Sequence, residues 1–111
     1  IEQSKIDSAR TQFKKCAITF IALGDHARQN ICLNLATSQD GLNVKQLTEL
    51  SNLSRPAISH HLKVLKDCNL IEANKKGTQI FYQLSLKDCF LEIKQLVALV
   101  DEILKHKSDT N

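Results

Sequence analysis

The stretch from Asn43 to Leu84 constrains this chain more than any other, because two short helical patterns, a tight turn and a hairpin follow one another there without a break. Its middle piece, Ser54-Arg55-Pro56-Ala57-Ile58-Ser59-His60-His61-Leu62-Lys63-Val64-Leu65, reads as a helix. Ser54 suits the N-cap, and Arg55 and Pro56 fall in the first turn, where a missing N–H costs little. Ile58, Leu62 and Leu65 recur at helical spacing and share one face. Ser59, His60 and Lys63 project from the other side, with Pro56 and Lys66 beside them. Asn69 can take the left-handed conformation that closes many helices, so the helix is expected to stop near Cys68. An apolar back with hydroxyl, imidazole and ammonium groups in front suits base edges and phosphates. Taken alone, the same pattern also fits an ordinary amphipathic surface helix.

The flanking pieces decide between the two. Upstream, Val44, Leu47 and Leu50 mark a short helix opened by Asn43, with Gln46 placed as in a capping box. Only Asn52 and Leu53 are expected between that helix and Ser54, and so short a connection forces the helices to cross steeply. Downstream, Leu70-Ile71 and Ile80-Phe81-Tyr82 are strand-like, with Asn74-Lys75-Lys76-Gly77 as the expected hairpin tip, made basic by its lysines. A basic ribbon beside such a helix is placed to grip a sugar-phosphate backbone. Together the pieces predict a winged helix-turn-helix, a mostly α fold with a small β-hairpin wing, formed by residues 1–111 as one domain.

The remaining segments are helical. A first helix is expected over about Lys5 to Leu23, with Ile6, Ala9, Phe13, Cys16, Ala17 and Phe20 on one face. Gly24 ends it, and Asp25 caps a second that runs to about Thr37 with Ile31 and Leu35 inward. Ser38-Gln39-Asp40-Gly41 reads as a loop. The last helix is expected to open with Ser85 and Asp88, spaced as a capping box, and to run to about His106. Its apolar residues, Leu86, Cys89, Phe90, Ile93, Leu96, Val97, Val100, Ile103 and Leu104, cover about half the helix circumference. A chain of 111 residues has few faces of its own to cover, so one side of this helix is expected against a partner chain.

Composition excludes more than it selects. A net charge of +3 permits nucleic acid as a partner without demanding it. There is no apolar run long enough to span a bilayer and no signal-peptide pattern, so a cytoplasmic protein without a membrane partner is expected. No Gly-rich phosphate loop, acid pair or nucleophile–base constellation stands out, which argues against an enzyme.

The run from Leu53 to Leu65, followed by Asn69-Leu70-Ile71 and Gly77-Thr78-Gln79-Ile80-Phe81-Tyr82-Gln83-Leu84, closely resembles the ArsR/SmtB family of bacterial repressors. Leu23-Gly24-Asp25-His26-Ala27-Arg28 resembles that family's entry into its second helix, with His26 in place of the usual proline; Asn69 stands where the family usually has glycine. The resemblance extends from near Phe20 onward. It implies a homodimer joined through the first and last helices, at about 5–23 and 86–106, that binds an inverted-repeat operator in double-stranded DNA and is released by an effector. Dimerisation would set two recognition helices about one DNA turn apart, roughly 34–36 Å. Base contacts are expected from Ser59, His60 and Lys63, with Ser54, Arg55 and Pro56 at the groove edge. Arg55 suits either a bidentate guanine contact or a phosphate. Lys75, Lys76, Thr78 and Gln79 would hold backbone or reach the minor groove from the wing, while His61 is expected on the packed side. The alternative, a winged-helix module that binds protein instead of DNA, would be marked by loss of the positive front, and Arg55, Lys63 and Lys66 retain it.

Many members of the family bind metal, and both of their known arrangements are broken here. Where one needs Cys-x-Cys, this chain has Asn43 and Lys45; lysine is a poor ligand while charged. Where the other needs Asp-x-His and a later His-x-x-Glu or His-x-x-His, it has Asp88, Phe90, Asp101 and Leu104. No metal or other cofactor is therefore expected at the family sites, while a site built from His26, His106 or carboxylates stays open. The 4 cysteines, Cys16, Cys32, Cys68 and Cys89, form no ligand pair and should be reduced in a cytosolic chain. Cys16 and Cys89 fit apolar helix faces as packed small hydrophobes. Some family members sense oxidants or reactive sulfur with one thiol on the second helix and another on the last, which makes Cys32 and Cys89 the alternative sensor pair. Cys32 stands one residue early relative to Arg28, about 100° around the helix.

Overall fold

Local capping signals set most of the element boundaries. The computed structural model describes residues 2–85 and 88–109. In chain order it contains α1 (Gln3–Leu23), α2 (His26–Thr37), α3 (Val44–Glu49), α4 (Arg55–Asp67), β1 (Ile71–Lys76), β2 (Gln79–Leu84) and α5 (Cys89–Asp109). Asp25 accepts from Arg28 N at 3.1 Å and opens α2. Asn43 opens α3 with a full capping box: its Oδ1 accepts from Gln46 N at 2.9 Å and Gln46 Oε1 accepts from Asn43 N at 2.9 Å. Ser54 accepts from Ala57 N at 3.3 Å and opens α4. Between α3 and α4 the Ser51 hydroxyl accepts from Leu53 N and donates to Thr48 O, which holds the turn.

Helix α4 closes by a Schellman motif. Asn69 lies at φ +62, Asn69 N donates to Lys66 O and Leu70 N donates to Leu65 O, each at 3.0 Å. The accompanying apolar contact is supplied by Leu65 and Leu70, both fully buried. From there the chain enters an antiparallel hairpin with Ile71 opposite Leu84 and Lys76 opposite Gln79. The turn is therefore Gly77-Thr78, and Asn74, Lys75 and Lys76, expected at the tip, belong to β1. Gly77 alone of the two turn residues has positive φ (+63), as a two-residue hairpin with glycine in its first central position requires. A single bridging residue just after the expected loop, Leu42, also pairs with β2. Leu42 N donates to Tyr82 O at 3.0 Å and Tyr82 N to Leu42 O at 2.8 Å.

One core joins these pieces. Leu47, Ile58, Leu62, Leu65 and Leu70 are essentially inaccessible and pack with Ala22, Ile31, Leu35, Ile71 and Cys89. At roughly 25 cal/mol per Å² of apolar area, each such leucine contributes on the order of 1.5–3 kcal/mol. Two expectations fail at the chain ends. Helix α1 buries Ala9, Gln12, Cys16, Thr19 and Ala22, whereas Phe13 is 51% and Phe20 41% exposed. Small residues let α1 approach α5 closely, and the buried Gln12 is satisfied there, donating to Glu92 O at 2.9 Å and to Glu92 Oε2 at 2.6 Å. The second concerns the last helix: it begins at Cys89, where Asp88 O accepts from Glu92 N, while Ser85 N is taken by Leu70 O at 2.9 Å. Leu86, counted above on the apolar face of that helix, lies outside the described residues.

Candidate nucleic-acid interface

The outward face of α4 is assembled by the same periodicity that builds the core. With Ile58, Leu62 and Leu65 turned inward, Ser54, Arg55, Pro56, Ser59, His60 and Lys63 are all exposed. Each polar side chain there meets different local constraints. Ser54 Oγ is engaged as acceptor by the N-cap bond, which leaves its hydroxyl hydrogen as the outward donor. Lys63 Nζ lies 3.0 Å from Asp67 Oδ2, one turn further along the same exposed face. That acidic residue was not recognised in the sequence, although a lysine and an aspartate four positions apart on a helix are a legible pair.

His61 faces away from this surface. Its ring is half-buried and 5.8 Å from that of His60, and its Nδ1 lies 3.3 Å from Arg28 Nη1. Arginine has no acceptor, so Nδ1 must receive the bond and the proton of the neutral ring sits on Nε2. Arg28 also donates from Nε to Ala22 O at 2.7 Å, tying α2 to the end of α1. The Arg28 backbone N–H, ahead of every other influence, pulls the Asp25 carboxyl below its ordinary value.

The wing distributes its charge unevenly. Successive strand residues leave opposite faces, so Lys75 and Lys76 do not form one basic tip. Lys76 Nζ sits 5.3 Å from the Phe81 ring centroid in a cation–π contact. Thr78 is exposed in the turn, and Gln79 Oε1 accepts from Asn43 Nδ2 at 3.1 Å, bracing the wing against α3. Sequence reasoning did not see this brace, which joins residues far apart in the chain.

The residues considered for sensing are held differently. Cys32 and Cys89 are buried in the core, and the Cys89 thiol donates to Cys68 O at 3.0 Å. All the cysteines are free. Burial, the largest influence on both, pushes the Cys32 and Cys68 thiols above their ordinary value of 9.0, which keeps them protonated at neutral pH. Among the described residues no three His, Cys, Asp or Glu side chains are grouped to hold a metal ion. At the family's metal positions, Asn43 serves as a cap and brace, and Asp101 pairs with Lys105 at 3.3 Å. No helix of the described residues is long and apolar enough to cross a membrane.

Residues 25–73 match the model of the bacterial regulatory proteins of the arsR family. Over 92 residues the chain is 36% identical to an uncharacterised helix-turn-helix transcriptional regulator of Methanocaldococcus jannaschii, spanning 83% of this chain and 98% of that one. The chain belongs to the ArsR family. It is also 38% identical over 66 residues to the transcriptional repressor SdpR of Bacillus subtilis, across 60% of this chain and 71% of the repressor. Among solved structures, an ArsR-like transcriptional regulator from a Rhodococcus species matches with a TM-score of 0.67 at 26% identity, covering 88% of this chain and 87% of the other. HlyU from Vibrio cholerae matches with a TM-score of 0.60 at 29% identity, over 78% and 91% of the two chains. This ArsR-family chain is accordingly a DNA-binding transcriptional regulator of the repressor type and not an enzyme.

Proposed function

We propose that this ArsR-family chain acts as a homodimer that holds an inverted-repeat operator through α4 and the wing, and lets go when an effector binds. The observation that carries the reading is the exposed face of α4, where Arg55, Ser59, His60 and Lys63 stand together over a closed apolar back. Ser59, His60 and Lys63 are the base-reading side chains, Ser54, Arg55 and Pro56 border the groove, and Lys75, Lys76, Thr78 and Gln79 serve the backbone from the wing. The dimer is supported by the apolar residues that one chain leaves uncovered: Phe13 at 51% exposure on α1, and Val97 at 62% and Leu104 at 57% on α5.

Fluorescence anisotropy on DNA from the region upstream of its own gene tests the proposal. The wild type should bind that duplex more tightly than a scrambled one. His60→Ala or Lys63→Ala should weaken operator binding by about 1–3 kcal/mol without unfolding the protein. Unchanged operator affinity in both variants would remove these residues from the reading face.

A further inference from the structure

A second surface lies beside the reading face, in a cleft between the start of α3, the first turn of α4 and the end of the wing. It has a volume of about 330 Å³; Val44 and Ile80 give it an apolar floor, and its polar groups come from Asn43, Lys45, Arg55, Thr78, Gln79 and Tyr82. The capping box of α3 dictates its hydrogen-bonding character. Asn43 Oδ1 is occupied by Gln46 N, so the other end of that amide, Nδ2, must be the group that meets Gln79 at 3.1 Å. A donor there fixes the Gln79 amide as well: its Oε1 is the acceptor, and Nε2 remains with its hydrogens free. Gln46 Oε1 is likewise engaged, by Asn43 N.

The side-chain amide acceptors at this cleft are therefore consumed within the protein. Left over are Gln79 Nε2, the Lys45 ammonium, the Arg55 guanidinium and the hydroxyls of Thr78 and Tyr82. No carboxylate borders the cleft, and neither Lys45 nor Arg55 joins an ion pair among the described residues. Two uncompensated cations with surrounding donors complement a group that carries negative charge and only acceptors. We propose that the cleft is a phosphodiester site, in which one DNA backbone phosphate sits between Lys45 and Arg55 and accepts from Thr78 Oγ and Gln79 Nε2.

This inference rests on the operator-binding reading and refines it. Arg55 becomes a phosphate contact instead of a guanine reader, and Lys45 joins the interface. Gln79 acquires two roles, since the oxygen that braces the wing leaves the nitrogen of the same amide facing the phosphate. The brace ties the wing to the start of α3, the two sides of the cleft.

Lys45→Gln, Thr78→Val and Gln79→Glu test it by anisotropy on operator and scrambled duplexes over a series of salt concentrations. Gln79→Glu is the sharpest of the three: it keeps an acceptor for Asn43 Nδ2 while replacing the free donor by a negatively charged oxygen. Lys45→Gln and Gln79→Glu should each weaken both duplexes by a similar factor, about tenfold, the size expected for a charged hydrogen bond. Lys45→Gln, which removes one phosphate contact from each protomer of the proposed dimer, should also flatten the slope of log K against log salt by about 1.8. Thr78→Val, in an exposed turn away from the brace, should give a smaller loss of the same sequence-independent kind. Wild-type affinity and slope in these variants, while His60→Ala still weakens operator binding, would overturn the site and leave the regulator reading intact. A loss confined to the operator would overturn it too, because the cleft would then be reading bases. If the wild type binds neither duplex, the operator-binding reading fails and this site with it.

Discussion

Gly41 and Gly77 share a positive φ but not a surrounding. At Gly77 (φ +63) a Cβ would meet nothing within 4 Å, so a side chain there pays only for the left-handed backbone. At Gly41 (φ +83) a Cβ would stand 2.7 Å from Tyr82 O and 2.9 Å from Gln83 Cγ, and the first of these is backbone that cannot swing aside. The neighbouring Leu42 makes both hydrogen bonds that fasten the loop to β2, so a displaced position 41 pulls on the wing itself. Gly77→Ala should cost about 1–2 kcal/mol of unfolding free energy. Gly41→Ala should cost roughly 2–4 kcal/mol, strain and clash combined. Urea titrations of the two variants compare them directly, and equal losses would mean that the approach of Gly41 to Tyr82 does not constrain the fold.

At the scale of elements, the proposed reading face of α4 carries its own competitor. Lys63 and Asp67 are both largely exposed, so their 3.0 Å pair adds little to stability. It does engage the ammonium with a carboxylate on the same exposed face, a partner that a DNA contact would have to displace. Asp67→Asn should change unfolding free energy by less than about 0.5 kcal/mol while strengthening DNA binding. If Lys63 meets phosphate, operator and scrambled duplexes should gain alike; if it meets a base, the operator should gain more. No gain on either would mean that Asp67 does not restrain Lys63. The ends of α4 were legible in the sequence because a Ser N-cap and an Asn left-handed close depend only on nearby atoms. The same holds for the Asn43 capping box and the Asp25 cap. Expectations failed where a partner distant in sequence decides. The register of β1 with β2 moved the hairpin turn to Gly77-Thr78, and no local pattern announces the bridge between Leu42 and Tyr82. On α1, Ala9 and Cys16 of the expected face are buried while Phe13 and Phe20 are not, and Gln12, satisfied by Glu92 on α5, is buried as well. The exposed face of α4 followed from helical period alone, whereas the Lys45–Arg55 cleft depends on the Asn43–Gln79 bond, which no local pattern announces.

The whole molecule is long for its size. Its extents are 59 × 26 × 21 Å and its radius of gyration is 17.7 Å. A compact chain of 111 residues would have about 13 Å. Helices α1 and α5 produce the excess, and a groove along them is lined by Phe13, Leu96, Val97, Val100 and Leu104 with Asp101 at its edge. Apolar surface left uncovered in this way is what the proposed dimer would cover. A carboxylate placed in that surface should separate the protomers without touching the core around Leu47, Ile58 and Leu62. Phe13→Glu and Val97→Glu are therefore expected to sediment as monomers with wild-type helical circular dichroism. Their operator affinity should fall by about 10²–10⁴, because linking two half-site contacts in one particle is what multiplies the affinity of each. Binding to a single half-site at low salt should change far less, since α4 and the wing lie outside the altered groove. Variants that remain dimeric and bind the full operator as the wild type does would exclude α1 and α5 as the dimer interface. Monomers that keep full affinity would instead show that one chain suffices to hold the operator.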